Sequence, residues 1–133
     1  GYAYSRAARR LTPATPVTAQ GSDVRVPLTE IADGKLHRYA FDVEGTPVRF
    51  ILVQAAPGNV RTAFDACQIC GADGYRQEGP QVICQTCGSA INVPTIGMGG
   101  GCNPRHLDAR TDGQSVVVPV AALAAGRRYF ETH

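Results

Sequence analysis

All five cysteines of the chain fall between Asp65 and Pro104, and four of them are paired. Cys67 and Cys70 form one Cys-x-x-Cys, Cys84 and Cys87 a second, and each pair runs straight into a glycine, Gly71 or Gly88. A Cys-x-x-Cys-Gly turn presents two thiolates to one side while backbone N–H groups turn toward the sulfurs. Glycine permits the positive φ that such a turn often needs. Two of these knuckles, with thirteen residues between them, can close a tetrahedral four-sulfur site. Disulfides are the competing chemistry. Within Cys-x-x-Cys they are mostly catalytic and are followed by a helix, whereas both motifs here continue into glycine, proline and polar residues. The spacing points to a metal. It leaves the metal open: iron, zinc and copper all accept thiolates.

Cys102 is the odd thiol. Behind the flexible run Gly99-Gly-Gly101 it could serve as a fifth ligand, an exchange ligand or a resolving thiol, and otherwise it is a small buried hydrophobe. Met98 and His106 flank it and would suit copper(I) in a soft site, although a lone loop methionine is more often packing and a lone histidine more often surface. Tyr75 and Phe64 are expected to pack over the knuckles and shield the metal, and His37 to sit at the edge of the core.

The elements that must position these residues read as β-structure. His37, Tyr39, Phe41 and Val43 alternate with Leu36, Arg38, Ala40 and Asp42, so the first set should face the core. Glu44-Gly-Thr-Pro47 turns the chain, Val48–Gln54 returns, and Val60–Phe64 leads into the first knuckle after a Pro57-Gly-Asn59 turn. Val24–Leu28 with Pro27 suits an edge strand. Ala90–Val93 and Ser115–Val120 are further strands, Thr95–Pro104 is a loop, and Ala121–Ala125 adds a helical turn. Residues 1–21, with Arg6, Arg9, Arg10 and two prolines, read as an arm or linker. The Cys-rich domain is placed at 22–123, its knuckle subdomain at 64–104, and a tail at 124–133.

Bulk properties exclude several classes. A chain of 133 residues, 44% hydrophobic and 18% charged, suits one folded domain. A net charge of +2 does not suggest nucleic acid. No apolar run approaches a membrane span. There is no Ser/His/Asp set, no recognisable carboxylate pair and no phosphate-binding loop ahead of a helix. No small-molecule substrate is evident, and an enzyme is not expected.

Val26-Pro-Leu28, Asp33-Gly-Lys-Leu-His-Arg-Tyr39, Val48-Arg-Phe50, Asp65-Ala-Cys-Gln-Ile-Cys-Gly71, Gly74-Tyr75, Ile83-Cys-Gln-Thr-Cys-Gly88, Ile91-Asn92, Thr95-Ile-Gly97 and Gly100-Gly-Cys-Asn-Pro104 together resemble the FtrD-like family of membrane iron–sulfur-containing proteins over about residues 22–123. The resemblance implies a bacterial iron-transport setting, membrane-bound iron-transport or electron-transfer partners, and a soluble domain facing outside the cytoplasm. It departs at Arg105-His-Leu107, where the family more often has small apolar residues. A start at Gly1 rather than Met suits a processed or trimmed chain from which a membrane anchor was removed, and the resemblance implies a full-length protein that is membrane-anchored and periplasmic or extracytoplasmic.

The order of elements also resembles a Rieske domain, with Cys-x-x-Cys in place of each histidine-containing loop. The expected fold is therefore mainly β, an antiparallel Rieske-like sandwich with a two-knuckle, rubredoxin- or zinc-ribbon-like subdomain. The expected ligands are Cys67, Cys70, Cys84 and Cys87, with Cys102 alongside. Iron or an iron–sulfur cluster is favoured, and four thiolates should make it low-potential. The alternatives are an interaction module with a structural four-cysteine zinc, or a copper site using Cys102, Met98 or His106.

Overall fold

The computed structural model describes residues 14–67, 71–98 and 102–131. Arg6, Arg9, Arg10, Cys70 and Gly99–Gly101 lie outside them.

The fold is organised by β4, residues Thr46–Ala56. Its run Phe50-Ile-Leu-Val53 is completely buried, which requires cover on both faces of the strand. Laterally, β4 pairs antiparallel with β3 (His37–Val43) on one side and β5 (Asn59–Cys67) on the other. β9 (Pro104–His106) extends the sheet beyond β5. β1 (Ala14–Pro16) closes the other edge by pairing parallel with β3. The five-stranded order is β1-β3-β4-β5-β9. β3 and β4 are joined by a two-residue turn, Glu44-Gly45, both at positive φ, which matches the right-handed twist of the hairpin.

Each face of this sheet carries its own layer. On the first, β2 (Asp23–Pro27), β11 (Ser115–Pro119) and β10 (Arg110–Thr111) form a three-stranded antiparallel sheet. Val24, Val26, Val116 and Val118 from it meet Tyr39, Val48, Phe50, Leu52 and Phe64 in one apolar core. The helix α1 (Val120–Ala125) adds Leu123. On the second face, β6 (Tyr75–Glu78), β7 (Gln81–Cys84) and β8 (Ala90–Ile91) form another antiparallel sheet. Tyr75, Val82 and Cys84 pack there with Ile51, Val53, Ala63, Cys67 and Ile96.

The mainly β, antiparallel expectation holds, and the strands predicted by alternation lie where expected to within a few residues. The helical turn predicted at Ala121–Ala125 is α1. Several elements were not foreseen. Ala14–Pro16, inside the segment read as an arm, is a strand because β3 offers it an edge. Arg127–Phe130, inside the segment read as a tail, forms a 3-10 turn whose Tyr129 and Phe130 stack against Phe64, with ring centroids 5.4 and 6.3 Å away. Val93–Thr95 is likewise a 3-10 turn, so β8 ends at Ile91. Phe64 is a correction: it faces the first core, not the knuckles. It stands three residues from Cys67 on one strand, an odd step that puts the two side chains on opposite faces.

Candidate metal centre

Cys67 ends β5 and Cys84 ends β7. Both are buried, at 2% and 1% exposure. Each begins a knuckle closed by backbone hydrogen bonds. The Gly71 N–H donates to the Cys67 carbonyl (3.1 Å) and the Gly88 N–H to the Cys84 carbonyl (2.8 Å). Both glycines have positive φ, 80° and 76°, as the knuckle reading requires. Cys102 enters from a third element, the stretch between the Val93–Thr95 turn and β9. The sulfurs of Cys67, Cys84 and Cys102 all lie within 4.8 Å of one another. Cys87 Sγ is exposed, 2.9 Å from Cys102 Sγ and 3.2 Å from Ser89 Oγ. Hydrogen bonding to Cys102 first, and to Ser89 second, holds the Cys87 thiol down to about 6.

The structure thus gathers four of the five predicted cysteines on the side of the central sheet covered by β6, β7 and β8. Cys70 falls outside the described residues, so its place stays an expectation. Met98 is exposed, at 69%, and His106 turns to Asp108, with Nε2 2.8 Å from Oδ1. His106 does not join the sulfur cluster. Among the described residues the soft donors that come together are sulfurs alone, a set that suits iron, zinc or an iron–sulfur cluster.

Tyr75 lies over the sulfurs, as expected. It is completely buried, pairs across the hairpin with Cys84, and its hydroxyl donates to the Cys102 carbonyl. Burial first, and then the charge and hydrogen bonding of Cys67, push its phenol far above the ordinary value. The hydroxyl therefore stays protonated and can only act as a donor or a neutral acceptor.

Beneath Tyr75 sits an ionic cluster that sequence reasoning missed. Asp65, fully buried, accepts at Oδ2 from Arg38 Nε and Nη2 (2.9 and 2.6 Å) and from Arg49 Nε (3.0 Å). Its Oδ1 accepts from the Tyr75 N–H (2.9 Å). Arg49 also donates to the Ala72 carbonyl in the first knuckle loop. Arg38, read as solvent-facing because it alternates with the apolar set, is 6% exposed. The alternation rule assumes one wet face, and here that face is covered by the second layer. Gly74 is pressed against the same carboxylate: a Cβ there would stand 2.6 Å from Asp65 Oδ2. The sequence signal was available. Asp65 is the one acid in Asn59–Cys67, two residues ahead of a ligand-type cysteine, and a carboxylate in a buried stretch calls for partners.

From Gly79 to Pro104 the chain carries no Asp, Glu, Lys, Arg or His. No charged side chain of that stretch can offset charge on the gathered thiolates, which leaves backbone N–H groups there to do so.

No helix among the described residues is long and apolar enough to cross a membrane. Curated proteins and solved structures yield no match to the chain. Residues 31–130, three quarters of the sequence, match the family described as "Membrane iron-sulfur containing protein FtrD-like", and the chain belongs to that FtrD-like family.

Proposed function

We propose that this protein is an extracytoplasmic redox or metal-handling accessory of a bacterial iron-transport system, carrying electrons or metal rather than catalysing a reaction on a bound substrate. The observation that carries the reading is the convergence of Cys67, Cys84 and Cys102 sulfurs within 4.8 Å, with Cys87 touching Cys102. Family membership supplies the iron–sulfur and membrane setting. Cys70, four residues into the first knuckle from Ala66, is proposed as a further ligand on its spacing alone.

Iron or an iron–sulfur cluster held by these sulfurs would supply a one-electron couple at low potential. The chain's own residues divide the remaining work. Cys67 and Cys84, together with Tyr75, Val82 and Ile96, keep water from the inner side. Cys87, exposed, gives the site its solvent-facing sulfur, the natural place for a membrane-bound electron-transfer or iron-transport partner to approach. We also read the three layers as Rieske-like, with β6-β7-β8 as the knuckle-bearing layer. This reading is supported by the central sheet having a separate core on each face.

Protein purified from its own host under iron-replete growth tests the proposal by metal analysis, absorption spectroscopy and voltammetry. The expected result is iron, a visible charge-transfer band that bleaches on reduction, and a reversible low-potential wave. A colourless, electrochemically silent protein with one zinc per chain overturns it and leaves an interaction module with a structural site.

A further inference from the structure

We infer that Tyr75 is the positioning residue that presents Cys102 to the sulfur cluster. Cys67 and Cys84 terminate strands, and the ladder sets their places. Cys102 belongs to no strand; β9 anchors the chain only from Pro104, two residues further on, which pairs with Cys67, so Cys102 itself needs a nearer hold. Tyr75 spans the gap. Its backbone N–H donates to Asp65 Oδ1 (2.9 Å), and the other oxygen of that carboxylate is gripped by Arg38 and Arg49 of the central sheet. Its hydroxyl, at the far end of the ring, donates to the Cys102 carbonyl at 2.5 Å. The ring between them is packed among Cys67, Cys84 and Ile96. One rigid side chain, with only two rotatable bonds, therefore transfers the position of the ion-pair network to the cysteine loop.

The next residue is held by a different set of bonds. Asn103, 7% exposed, accepts from the Gly97 N–H (2.8 Å) and donates to the Thr95 carbonyl (2.9 Å). Its side chain ties this segment to the Val93–Thr95 turn, and Pro104 beyond it pairs with Cys67. Tyr75 adds the link to the hairpin that bears Cys84 and to Asp65. Without its hydroxyl the Cys102 carbonyl loses its buried donor, and the sulfur is freer to swing toward solvent, where it is already half-buried.

The inference rests on the reading that the sulfurs hold a metal, but its first test does not need one. In metal-free, reduced protein, the rate at which iodoacetamide alkylates Cys102 is followed by peptide mass spectrometry. Tyr75→Phe keeps the ring and removes only the hydroxyl. It should raise the Cys102 rate about fivefold to tenfold, the scale of one lost hydrogen bond. Tyr39→Phe is the control: it removes another buried phenol's hydroxyl, bonded to Glu30 in the opposite core, and should leave the Cys102 rate unchanged. A second readout loads each protein with cobalt(II) as the probe metal. The visible bands should shift in Tyr75→Phe and not in Tyr39→Phe, at equal cobalt stoichiometry. Equal alkylation rates in wild type and Tyr75→Phe overturn the positioning role and leave the metal reading untouched. A rate difference in a protein that takes up no metal sinks the metal reading and preserves the pin.

Discussion

The two cores that share β4 are made of different chemistry. The first joins Val, Ile, Leu, Phe and a Tyr whose hydroxyl is satisfied by Glu30, and it draws on two sheets, a helix and the Tyr129–Phe130 turn. Its stability comes from removing apolar area from water. The second holds two thiols and a buried phenol, and beneath them lies a carboxylate clamped by two guanidinium groups. Its outer sheet has strands of four, four and two residues, too short to persist alone. A layer so small depends on every polar group finding its partner, because an unpaired buried charge is costlier than a missing methyl. The difference teaches that one sheet can carry a face held by apolar packing and a face held largely by paired polar groups.

Four substitutions break or sharpen this contrast. The largest effect is expected from Cys84→Ser. Thiolate–metal bonding in small structural sites is worth on the order of 10 kcal/mol of folding free energy. The variant should lose most of its metal and the order of residues 64–104 while the Phe50 core persists. Metal analysis with hydrogen exchange checks this, and simultaneous melting of both cores would erase the distinction. Cys102→Ser, at the half-buried side of the cluster, should lose less metal than Cys84→Ser.

Phe50→Ala makes the reverse test. Emptying a fully buried aromatic site should cost about 3–5 kcal/mol in denaturant melts. Metal stoichiometry in the folded fraction should be unchanged, and a parallel drop would mean that the two cores are one.

The smallest effect is expected in the opposite layer, at the β10–β11 turn. The N–H groups of Gln114 and then Ser115, followed by Arg25, hold the Asp112 carboxyl below its ordinary value of 3.8. A depressed carboxyl stabilises the fold above its unfolded value, and this contribution fades as pH falls through the folded one. Wild type should therefore hold the β10–β11 turn better than Asp112→Asn above pH 3.8, and the two should converge as pH falls below 3.8 and through the lowered folded value. Amide exchange in β10–β11 measures this. A difference that survived at the lowest pH would show that Asp112 acts by packing instead.

Much of this was legible in the chain. Paired cysteines ahead of glycines announced the knuckles, and apolar alternation announced β2, β3 and β11. What escaped notice depends on partners distant in sequence. β6 reads Tyr-Arg-Gln-Glu, with no apolar alternation, and becomes a strand only because β7 folds back on it. Arg38 reads as a wet residue until a second layer covers its face. Tyr129 and Phe130 find Phe64 some 65 residues earlier, a distance no local pattern spans. Cys102 was placed near the site by its glycines, but what brings it there, Tyr75 and Asp65, needed coordinates to see.

The double burial of β4 has one more consequence. A strand with hydrogen-bonded neighbours on both sides and packed layers above and below exposes its amides only when the whole sheet opens. The N–H groups of Ile51 and Leu52 should then be the slowest clocks in the molecule, reporting global unfolding. Those of Val82 and Ile83, on the small outer sheet, should tick with the arrival and departure of metal. Deuterium, read at those four amides, would keep two separate times in a single chain.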